Sequence, residues 1–243
     1  LAPHGRKIGP DPASINSCMV GGIAANNAAG MCCGTALNSY HTVESLRLIL
    51  ADGALVDTGD PESRHRFAES HRELLQGLAA IRDEIAADEA LTRRIREKYR
   101  IKNTTGYALN AFVDYQDPVD VLAHLMIGSE GTLGIFTKII LRLVPLPAVR
   151  VVLLVPFPDV KSAIAAVPRV MAQGRVIPAS VEFMDRLSLE TAYAHIGEPL
   201  PRSNIGAMLL LEVDAFTQDQ AEAEYNAIVN LCLEGGALDV FVG

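Results

Sequence analysis

The chain has 243 residues, 49% of them hydrophobic, with a mean hydropathy of +0.22, which is typical of a globular protein with one or two buried cores. Its formal net charge of −8 argues against a nucleic-acid partner, since such a partner would require a basic face. No apolar run approaches the roughly 20 residues that a transmembrane helix needs, so we expect no integral membrane segment.

Small side chains dominate residues 21–30, which read Gly-Gly-Ile-Ala-Ala-Asn-Asn-Ala-Ala-Gly. Side chains this small would let a diphosphate or an adenosine lie against main-chain N–H groups. A tightly packed helix start is the alternative interpretation, and residues 1–40 as a whole are predicted to be rich in loops. The spacing differs from the Gly-x-Gly-x-x-Gly dinucleotide fingerprint, and the sequence contains no Gly-x-x-x-x-Gly-Lys-Ser/Thr phosphate loop.

The next segments are predicted as a strand over 46–50, a turn at 51–54 and a helix over 66–87. The apolar face of that helix would consist of Phe67, Leu74, Leu75, Leu78, Ile81 and Ile85. Asp88 is placed to cap a second helix. The apolar side chains of that second helix would be Leu91, Ile95 and Tyr99. We expect the charges on both helices to form a solvated face without chemistry; they are Arg72, Glu73, Arg82, Glu84, Arg93, Arg94 and Glu97.

A second glycine-rich segment occupies residues 128–135 and reads Gly-Ser-Glu-Gly-Thr-Leu-Gly-Ile. Three glycines this close together let the backbone approach a ligand that side chains would otherwise keep away. An apolar stretch precedes it, and alternating residues over 135–143 predict a strand after it. Such a turn could bind a planar or phosphorylated cofactor, although ordinary tight turns collect glycine as well.

The sequence Pro145-Leu146-Pro147 interrupts this pattern and is our predicted domain boundary. Beyond it, strands alternate with helices. Strands are predicted over 150–156, 177–183, 207–213 and 238–242, and helices over 160–171, 187–195 and 220–233. This order suggests an α+β sandwich with helices on one face of an antiparallel sheet. From periodicity alone, a ferredoxin-like interaction module is the simpler interpretation.

Neither the cysteines nor the histidines have the spacing of a metal site. The four cysteines (Cys18, Cys32, Cys33 and Cys232) include no Cys-x-x-Cys pair, and the six histidines show no His-x-His or His-Glu-x-x-His pattern. We therefore expect no metal site in this chain. Free thiols in a reducing cytoplasm are the expected state of the cysteines, which favours a cytoplasmic location.

Four blocks of sequence, taken in order, resemble one family. They are residues 10–30, which include Ser-Cys-Met-Val-Gly-Gly; residues 41–53, which end in Ala-Asp-Gly; Lys-Asn-Thr-Thr-Gly-Tyr at 102–107; and the segment 128–135. Residues 181–185 are a weaker fifth. Together they resemble the FAD-linked oxidases of the vanillyl-alcohol oxidase (PCMH-type FAD-binding) superfamily, in the branch of D-lactate, glycolate and D-2-hydroxyglutarate dehydrogenases.

The resemblance implies an α+β fold in two parts. Residues 1–145 would be the C-terminal part of a PCMH-type FAD-binding domain with a helical insertion at about 64–100. Residues 146–243 would be part of a ferredoxin-like α+β cap domain over the flavin and substrate. The family's phosphate-binding subdomain would precede Leu1, and its substrate arginine and histidine-rich metal segment would follow Gly243. The resemblance therefore implies an internal fragment, inactive alone, of a larger flavoenzyme.

The implied activity is FAD-dependent oxidation of a 2-hydroxy acid to the 2-oxo acid, with hydride transfer to the flavin while a base takes the hydroxyl proton. That base would lie outside the chain, so no catalytic residue is assigned. The partners would be the small-molecule hydroxy acid and an electron acceptor whose nature stays open, with a homodimer as one option. The protein would be cytoplasmic or peripheral to a membrane.

The resemblance also implies which residues would contact the cofactor. These are Pro10, Ser17, Gly21, Gly22, Ala25, Asn27, Gly30, Thr42, Val43, Glu130, Gly131, Gly134 and Ile135. Lys102 and Tyr107 could contact the flavin or the substrate, with a surface lysine and a core tyrosine as the alternatives. A covalent flavin link at Cys32 or Cys33 is conceivable, although inert packing is favoured.

Two other functions remain open at this stage. One is a non-redox alkyl transferase of the alkylglycerone-phosphate synthase type, in which FAD would act as a covalent template. The other is a flavin-free interaction fragment. The Ala-Asp-Gly, Thr-Gly-Tyr and Ser-Glu-Gly-Thr-Leu-Gly sequences favour the dehydrogenase branch. Bleaching of the flavin by a 2-hydroxy acid would distinguish the dehydrogenase from the alkyl transferase.

Overall fold

The computed structural model describes residues 1–173, 176–200 and 203–243, and the chain divides into two compact units, Leu1–Pro145 and Leu146–Gly243. In the first unit the strands are β1 Arg6–Lys7, β2 Val43–Leu50, β3 Leu55–Asp57, β4 Gly134–Leu141 and β5 Val144–Pro145. The helices are α1 Val20–Asn26, α2 Ser39–Thr42, α3 Pro61–Ser70, α4 Arg72–Ala87, α5 Glu89–Lys98, α6 Ala111–Asp114 and α7 Pro118–Met126, with a short 3-10 turn at Ala2–His4.

The first unit is built on an antiparallel sheet with strand order β3-β2-β4, and β1 pairs with β5 in a second, two-stranded sheet. The turn between β2 and β3 is closed by Asp52, whose carboxylate accepts from the amide of Ala54 over 2.9 Å. Leu46 and Leu48 of β2 are buried and pack with the inward faces of α3, α4 and α7. The sheet and these helices therefore share one core.

The single helix predicted over 66–87 is wrong, because the chain breaks at His71 into α3 and α4. His71 leaves helical geometry (φ −120°, ψ 39°), and its ring stacks on Phe67 while Nε2 lies 2.9 Å from Asp52 Oδ2. These side-chain contacts compete with continuation of the helix. The predicted cap at Asp88 is confirmed, since its carboxylate accepts from the amide of Leu91 at the start of α5.

The second unit contains strands β6 Val149–Phe157, β7 Ser180–Asp185, β8 Ala207–Ala215 and β9 Phe241–Val242, and helices α8 Val160–Gln173, α9 Arg186–Ile196 and α10 Gln218–Glu234. The antiparallel strand order is β7-β8-β6-β9. The last predicted strand, 238–242, is shorter than expected. The α+β prediction is confirmed.

The helices of the second unit cover both faces of its sheet rather than one. Leu209 and its alternate neighbours on β8 pack with α8 and α10 in the larger core. Met208 belongs to a separate cluster with Leu189 of α9. Since consecutive strand residues point to opposite faces, α9 covers the face away from α8 and α10. Within the three described ranges, every helix is too short or too polar to span a bilayer.

Candidate functional site

The two glycine-rich segments lie against each other in the first unit. Helix α1 ends at Asn26 and is capped by Asn27, which adopts the left-handed conformation (φ 52°, ψ 38°). The amide of Gly128 donates to the carbonyl of Ala24 over 3.0 Å, and the amide of Glu130 donates to the carbonyl of Ala25 over 2.9 Å. The second segment therefore supplies donors to two carbonyls in the last turn of α1, where a helix runs out of its own amide donors; the carbonyl of Ala24 also accepts from the amide of Asn27.

A side-chain hydrogen bond reinforces this junction. Asn26 Nδ2 donates to Glu130 Oε1 over 2.5 Å. Glu130 has φ 53°, and a non-glycine residue in the left-handed region costs roughly 1–2 kcal/mol, so its contacts must hold it there. Asn26 was not among the residues predicted from the sequence. Two neighbouring amide side chains within a run of alanines were the signal that could have identified it.

The glycines of the two segments have different structural roles. Apart from the adjacent residues and the backbone of its own helix, a Cβ atom built on Gly21, Gly22 or Gly131 would meet no described atom within 4 Å. A Cβ on Gly30 would lie 2.1 Å from the carbonyl oxygen of Asp11, and one on Gly134 would lie 2.6 Å from that of Ile49. The first three glycines leave their backbone open to a ligand, whereas the last two are needed for chain packing.

Residues 102–107, the Thr-Gly-Tyr turn with the lysine that precedes it, contact both glycine-rich segments. Lys102 Nζ donates to the carbonyl of Gly30 over 2.5 Å. Thr132 Oγ1 donates to the carbonyl of Ser129 over 2.6 Å, so the hydroxyl of Tyr107, 2.9 Å away, donates to Thr132 Oγ1. Tyr107 is 44% exposed, so the alternative of a core tyrosine is wrong. Lys102 is an exposed lysine, as the alternative held, but its ammonium is bonded to the main chain.

The other predicted residues surround this junction less directly. Pro10 is buried beside Asp11, whose main chain bridges to Gly30, and Ser17 is exposed in a turn. Thr42 has all its polar groups occupied: its hydroxyl and its amide donate to the carbonyl of Asn38 over 2.7 and 3.1 Å, and its carbonyl accepts from the amide of Arg142. Val43 opens β2 and the exposed Ile135 lies in β4. Their contact with a cofactor stays a prediction.

A small polar cavity lies between the end of α1 and the Thr-Gly-Tyr turn. Its volume is about 20 Å³, and its lining includes Asn27, Asn38, Asn103 and Asn110. Asn27 Oδ1 accepts from the amide of Tyr40 over 3.3 Å, while Asn110 Oδ1 is buried without a hydrogen-bond partner in the described ranges. The junction is therefore bordered by amide side chains, a feature the sequence motifs did not indicate.

Cys33 is 4% exposed, and burial together with the nearby carboxylate of Asp11 raises its pKa to about 11. A thiol that stays protonated is a poor nucleophile, so this residue favours inert packing over a covalent flavin link. Cys32 is partly buried, and its amide donates to Asp11 Oδ2 over 3.2 Å. Among the described residues, no three His, Cys, Asp or Glu side chains converge as a metal site would require.

Comparison with known families gives two matches at the two ends of the chain. Residues 1–59 match the family model of the FAD binding domain, and residues 146–243 match that of the C-terminal domain of FAD linked oxidases. Residues 60–145 lie between the two matches. The predicted resemblance to FAD-linked oxidases is confirmed.

Individual relatives cover almost the whole chain. It is 29% identical over 242 residues to the glycolate oxidase subunit GlcD of Escherichia coli K12, which covers 99% of this chain and 37% of that protein. It is 27% identical over 238 residues to a D-lactate dehydrogenase of Archaeoglobus fulgidus, covering 98% of this chain and 40% of the relative. The chain thus spans less than half the length of these relatives.

A solved structure of an alkyldihydroxyacetonephosphate synthase superposes with a TM-score of 0.59. The superposition covers 97% of this chain and 35% of the synthase, at 14% sequence identity. A second structure of such a synthase gives a TM-score of 0.57 at 15% identity. At this level of identity the likeness shows the fold alone.

Proposed function

Because the two ends of the chain match family models of FAD binding domains and FAD linked oxidases, we propose that it forms part of a FAD-dependent oxidoreductase that oxidises a 2-hydroxy acid to the 2-oxo acid. FAD is the cofactor, as the match over residues 1–59 indicates. The glycolate oxidase subunit and the D-lactate dehydrogenase named above support a short 2-hydroxy acid as the substrate class. When bound, the flavin supplies the hydride acceptor.

The observation that carries this proposal is the junction between α1 and residues 128–130. Two main-chain hydrogen bonds and the bond between Asn26 and Glu130 hold the two segments side by side. Gly21, Gly22 and Gly131 project no side chain into the open space beside it. Main-chain groups are therefore accessible where a diphosphate or a flexible polyol chain would need close approach. The residues present fit a FAD site.

We assign different parts of this junction to different parts of the cofactor. Gly21, Gly22, Ala25 and Asn27 would line the diphosphate and ribityl region, with α1 presenting its first amides. Met19 at the N-cap forms no side-chain hydrogen bond with them. Glu130 and Gly131 would flank the flavin from the other side. The remaining predicted contacts, including those of Thr42 and Val43, would be peripheral.

A flavin-retention experiment tests the cofactor assignment. The chain is incubated with FAD, desalted and examined by visible absorption, beside the Gly22→Val variant. We expect the wild-type chain to retain flavin bands and the variant to lose them, because a valine would fill the space the cofactor needs. Equal retention in both would contradict the placement. If neither retains flavin, the same comparison is made on a longer protein that contains this chain.

Anaerobic addition of glycolate, D-lactate or D-2-hydroxyglutarate tests the reaction. We expect at least one to bleach the flavin of the longer, flavin-loaded protein and to yield the 2-oxo acid, with L-lactate as the stereochemical control. If the protein retains flavin but no 2-hydroxy acid bleaches it, the proposed oxidation is contradicted. The non-redox alkyl transferase would then be the function to test. The fold alone supports that alternative, and no feature of the described site favours it.

The assembly and the location are further proposals. We propose a cytoplasmic protein that delivers electrons to a separate acceptor, and a homodimer is the assembly to be tested first. Sedimentation equilibrium on the flavin-loaded protein would measure the mass of the particle, and a monomer mass at all concentrations would exclude the homodimer.

A further inference from the structure

A cavity of about 530 Å³ opens between α4, α5 and α6, in the region between the two family matches. Small-molecule sites usually have volumes of about 300–1,000 Å³ and an apolar lining with a few polar groups. Here the apolar part consists of Ile85 and Ala86 on α4 and Phe112 and Val113 on α6, and the remaining lining residues are polar or charged. Ile85 and Phe112 also belong to the main core of the unit, so this part of the lining is packed against the interior.

Two arginines that line the cavity have no side-chain partner among the residues the structure describes. Arg93 and Arg96 are one helical turn apart on α5, and both line the cavity. Neither forms a hydrogen bond or an ion pair with any residue in the described ranges. Arg82, which lines the cavity from α4, already has partners: it donates to the carboxylate of Asp83 and to the carbonyl of Gln116. The available positive charge therefore lies on the α5 side.

The surrounding charge is unlike that of the chain as a whole. Residues 93–102 contain six Lys or Arg and one Glu, whereas the complete chain has a formal net charge of −8. Lys98 and Arg100 extend this positive region beyond the cavity. An anion approaching α5 is attracted by the local charge, and the cavity then offers apolar surface next to the cations. Two acidic residues also line the cavity: Asp83, which pairs with Arg82, and Glu89, whose negative charge opposes this attraction.

We propose that this cavity binds a small organic anion that combines a carboxylate with an apolar chain. The carboxylate would lie between the guanidinium groups of Arg93 and Arg96, which match its planar geometry. The apolar chain would pack against Ile85 and Phe112. Neither the proposed flavin site nor the hydroxy-acid oxidation is required for this binding.

Calorimetric titration with octanoate tests the site, with 1-octanol as the neutral analogue and inorganic phosphate as the anion without an apolar part. We expect saturable binding of octanoate and much weaker binding of the other two. The Arg93→Gln/Arg96→Gln double variant should bind octanoate at least about tenfold more weakly, since both charge-assisted hydrogen bonds are removed. Glu89→Gln should bind it more tightly.

Arg94→Gln is the matched control, because Arg94 is an exposed arginine on the same helix that does not line the cavity. It removes one charge from the same region and should leave octanoate affinity within about twofold of wild type, as a screened surface charge would. A loss equal to that of the double variant would overturn the site and leave only general attraction to a basic helix. Equal affinity for octanol, equal affinity for phosphate, or no saturable binding at millimolar octanoate would each overturn the proposal. Circular dichroism checks that all variants are folded.

Discussion

The amide of Glu130 donates to the carbonyl of Ala25 over 2.9 Å, and this bond joins two segments that are far apart in the sequence. The neighbouring bond from Gly128 to Ala24 makes the contact a short two-point ladder. The bond from Glu130 satisfies a carbonyl at the end of α1 that the helix itself leaves open, whereas the carbonyl of Ala24 also accepts from the amide of Asn27 over 3.1 Å. The geometry of the small-residue helix and that of the glycine turn are therefore coupled, and a change that strains one should disturb the other.

Gly22→Val and Gly30→Ala should separate cofactor binding from stability. A Cβ on Gly22 meets nothing in the described chain, so we expect Gly22→Val to change the free energy of unfolding by less than about 1 kcal/mol while it abolishes flavin retention. Gly30 has φ 80°, and a Cβ there would lie 2.1 Å from Asp11 O, so Gly30→Ala should cost about 2 kcal/mol or more. Urea unfolding and desalted absorption spectra measure the two effects.

Gly131→Val is a poorer probe than Gly22→Val. Both positions are open to space, but Gly131 has φ 76°, a conformation that a β-branched residue avoids. Loss of flavin in that variant would combine backbone strain with the lost space for the cofactor. If Gly22→Val proved as destabilising as Gly30→Ala, the division between open and packed glycines would be wrong.

The sequence predicted the elements better than their contacts. Periodicity located β2, β6 and the helices of the second unit because their apolar residues repeat at the period of the structure. The bonds from Gly128 and Glu130 to α1 could not be predicted, since main-chain hydrogen bonds between distant segments leave no residue pattern. Gly134 belongs to a family motif, yet its proximity to Ile49 O shows a packing requirement that a motif cannot distinguish from cofactor contact.

The cysteines should differ in reactivity. Burial raises the pKa of both Cys33 and Cys232 to about 11, so their thiols stay protonated at pH 8. We expect a thiol reagent to modify only Cys18 and Cys32 in the native chain, since both are partly exposed, and all four cysteines after denaturation. Peptide mass spectrometry identifies the modified sites, and rapid labelling of Cys33 in the native state would contradict the inferred environment.

Because the buried thiol of Cys33 stays protonated, we expect the flavin to bind without a covalent bond to this residue. Acid precipitation of the flavin-loaded protein should release all flavin into the supernatant, from wild type and from Cys33→Ala alike. Flavin that stays with the wild-type pellet but leaves the Cys33→Ala pellet would show a covalent link at that sulfur.

Arg64 should stabilise the first unit more than its neighbours on α3. Its Nη1 donates to Asp120 Oδ1 over 2.6 Å and to the carbonyl of Thr58 over 3.1 Å, and its Nη2 lies 2.8 Å from Asp117 Oδ2. The side chain is 24% exposed, and the hydrogen bond to Asp120 raises its pKa, so the charge persists. Lysine cannot reproduce this planar set of donors.

We expect Arg64→Lys to lower the free energy of unfolding by about 1–3 kcal/mol. Arg66→Lys is the control, since Arg66 is 61% exposed on the same helix and its ion pair, among the residues the structure describes, is with Glu62 one turn away. That substitution should change stability by less than about 0.5 kcal/mol. Urea unfolding of the wild type and the two variants measures both changes. Equal losses of unfolding free energy in Arg64→Lys and Arg66→Lys would show that the bonds from Arg64 to Asp117 and Asp120 contribute no more than an ion pair on the surface.

His124 should make the first unit less stable in acid. The ring is buried and stacks on Tyr115 with centroids 3.8 Å apart. Its Nδ1 lies 2.8 Å from the carbonyl of Asp120, so in the neutral ring Nδ1 carries the proton and donates to that carbonyl. Burial lowers its pKa in the folded state. As the pH falls below about 6.5, the unfolded chain binds a proton that the folded chain resists, so the free energy of unfolding falls. The slope contributed by one such group cannot exceed about 1.36 kcal/mol per pH unit.

His124→Gln isolates this contribution, because glutamine does not titrate and can still donate to the carbonyl of Asp120. The difference in unfolding free energy between wild type and variant should be constant above about pH 7.5 and should shrink as the pH is lowered from 6.5 to 5. Urea unfolding at a series of pH values measures it, and the ring resonances of His124 give its titration directly. A difference independent of pH, or a ring that titrates above 6.5, would show that nearby carboxylates such as Asp114 and Asp120 outweigh burial at this site.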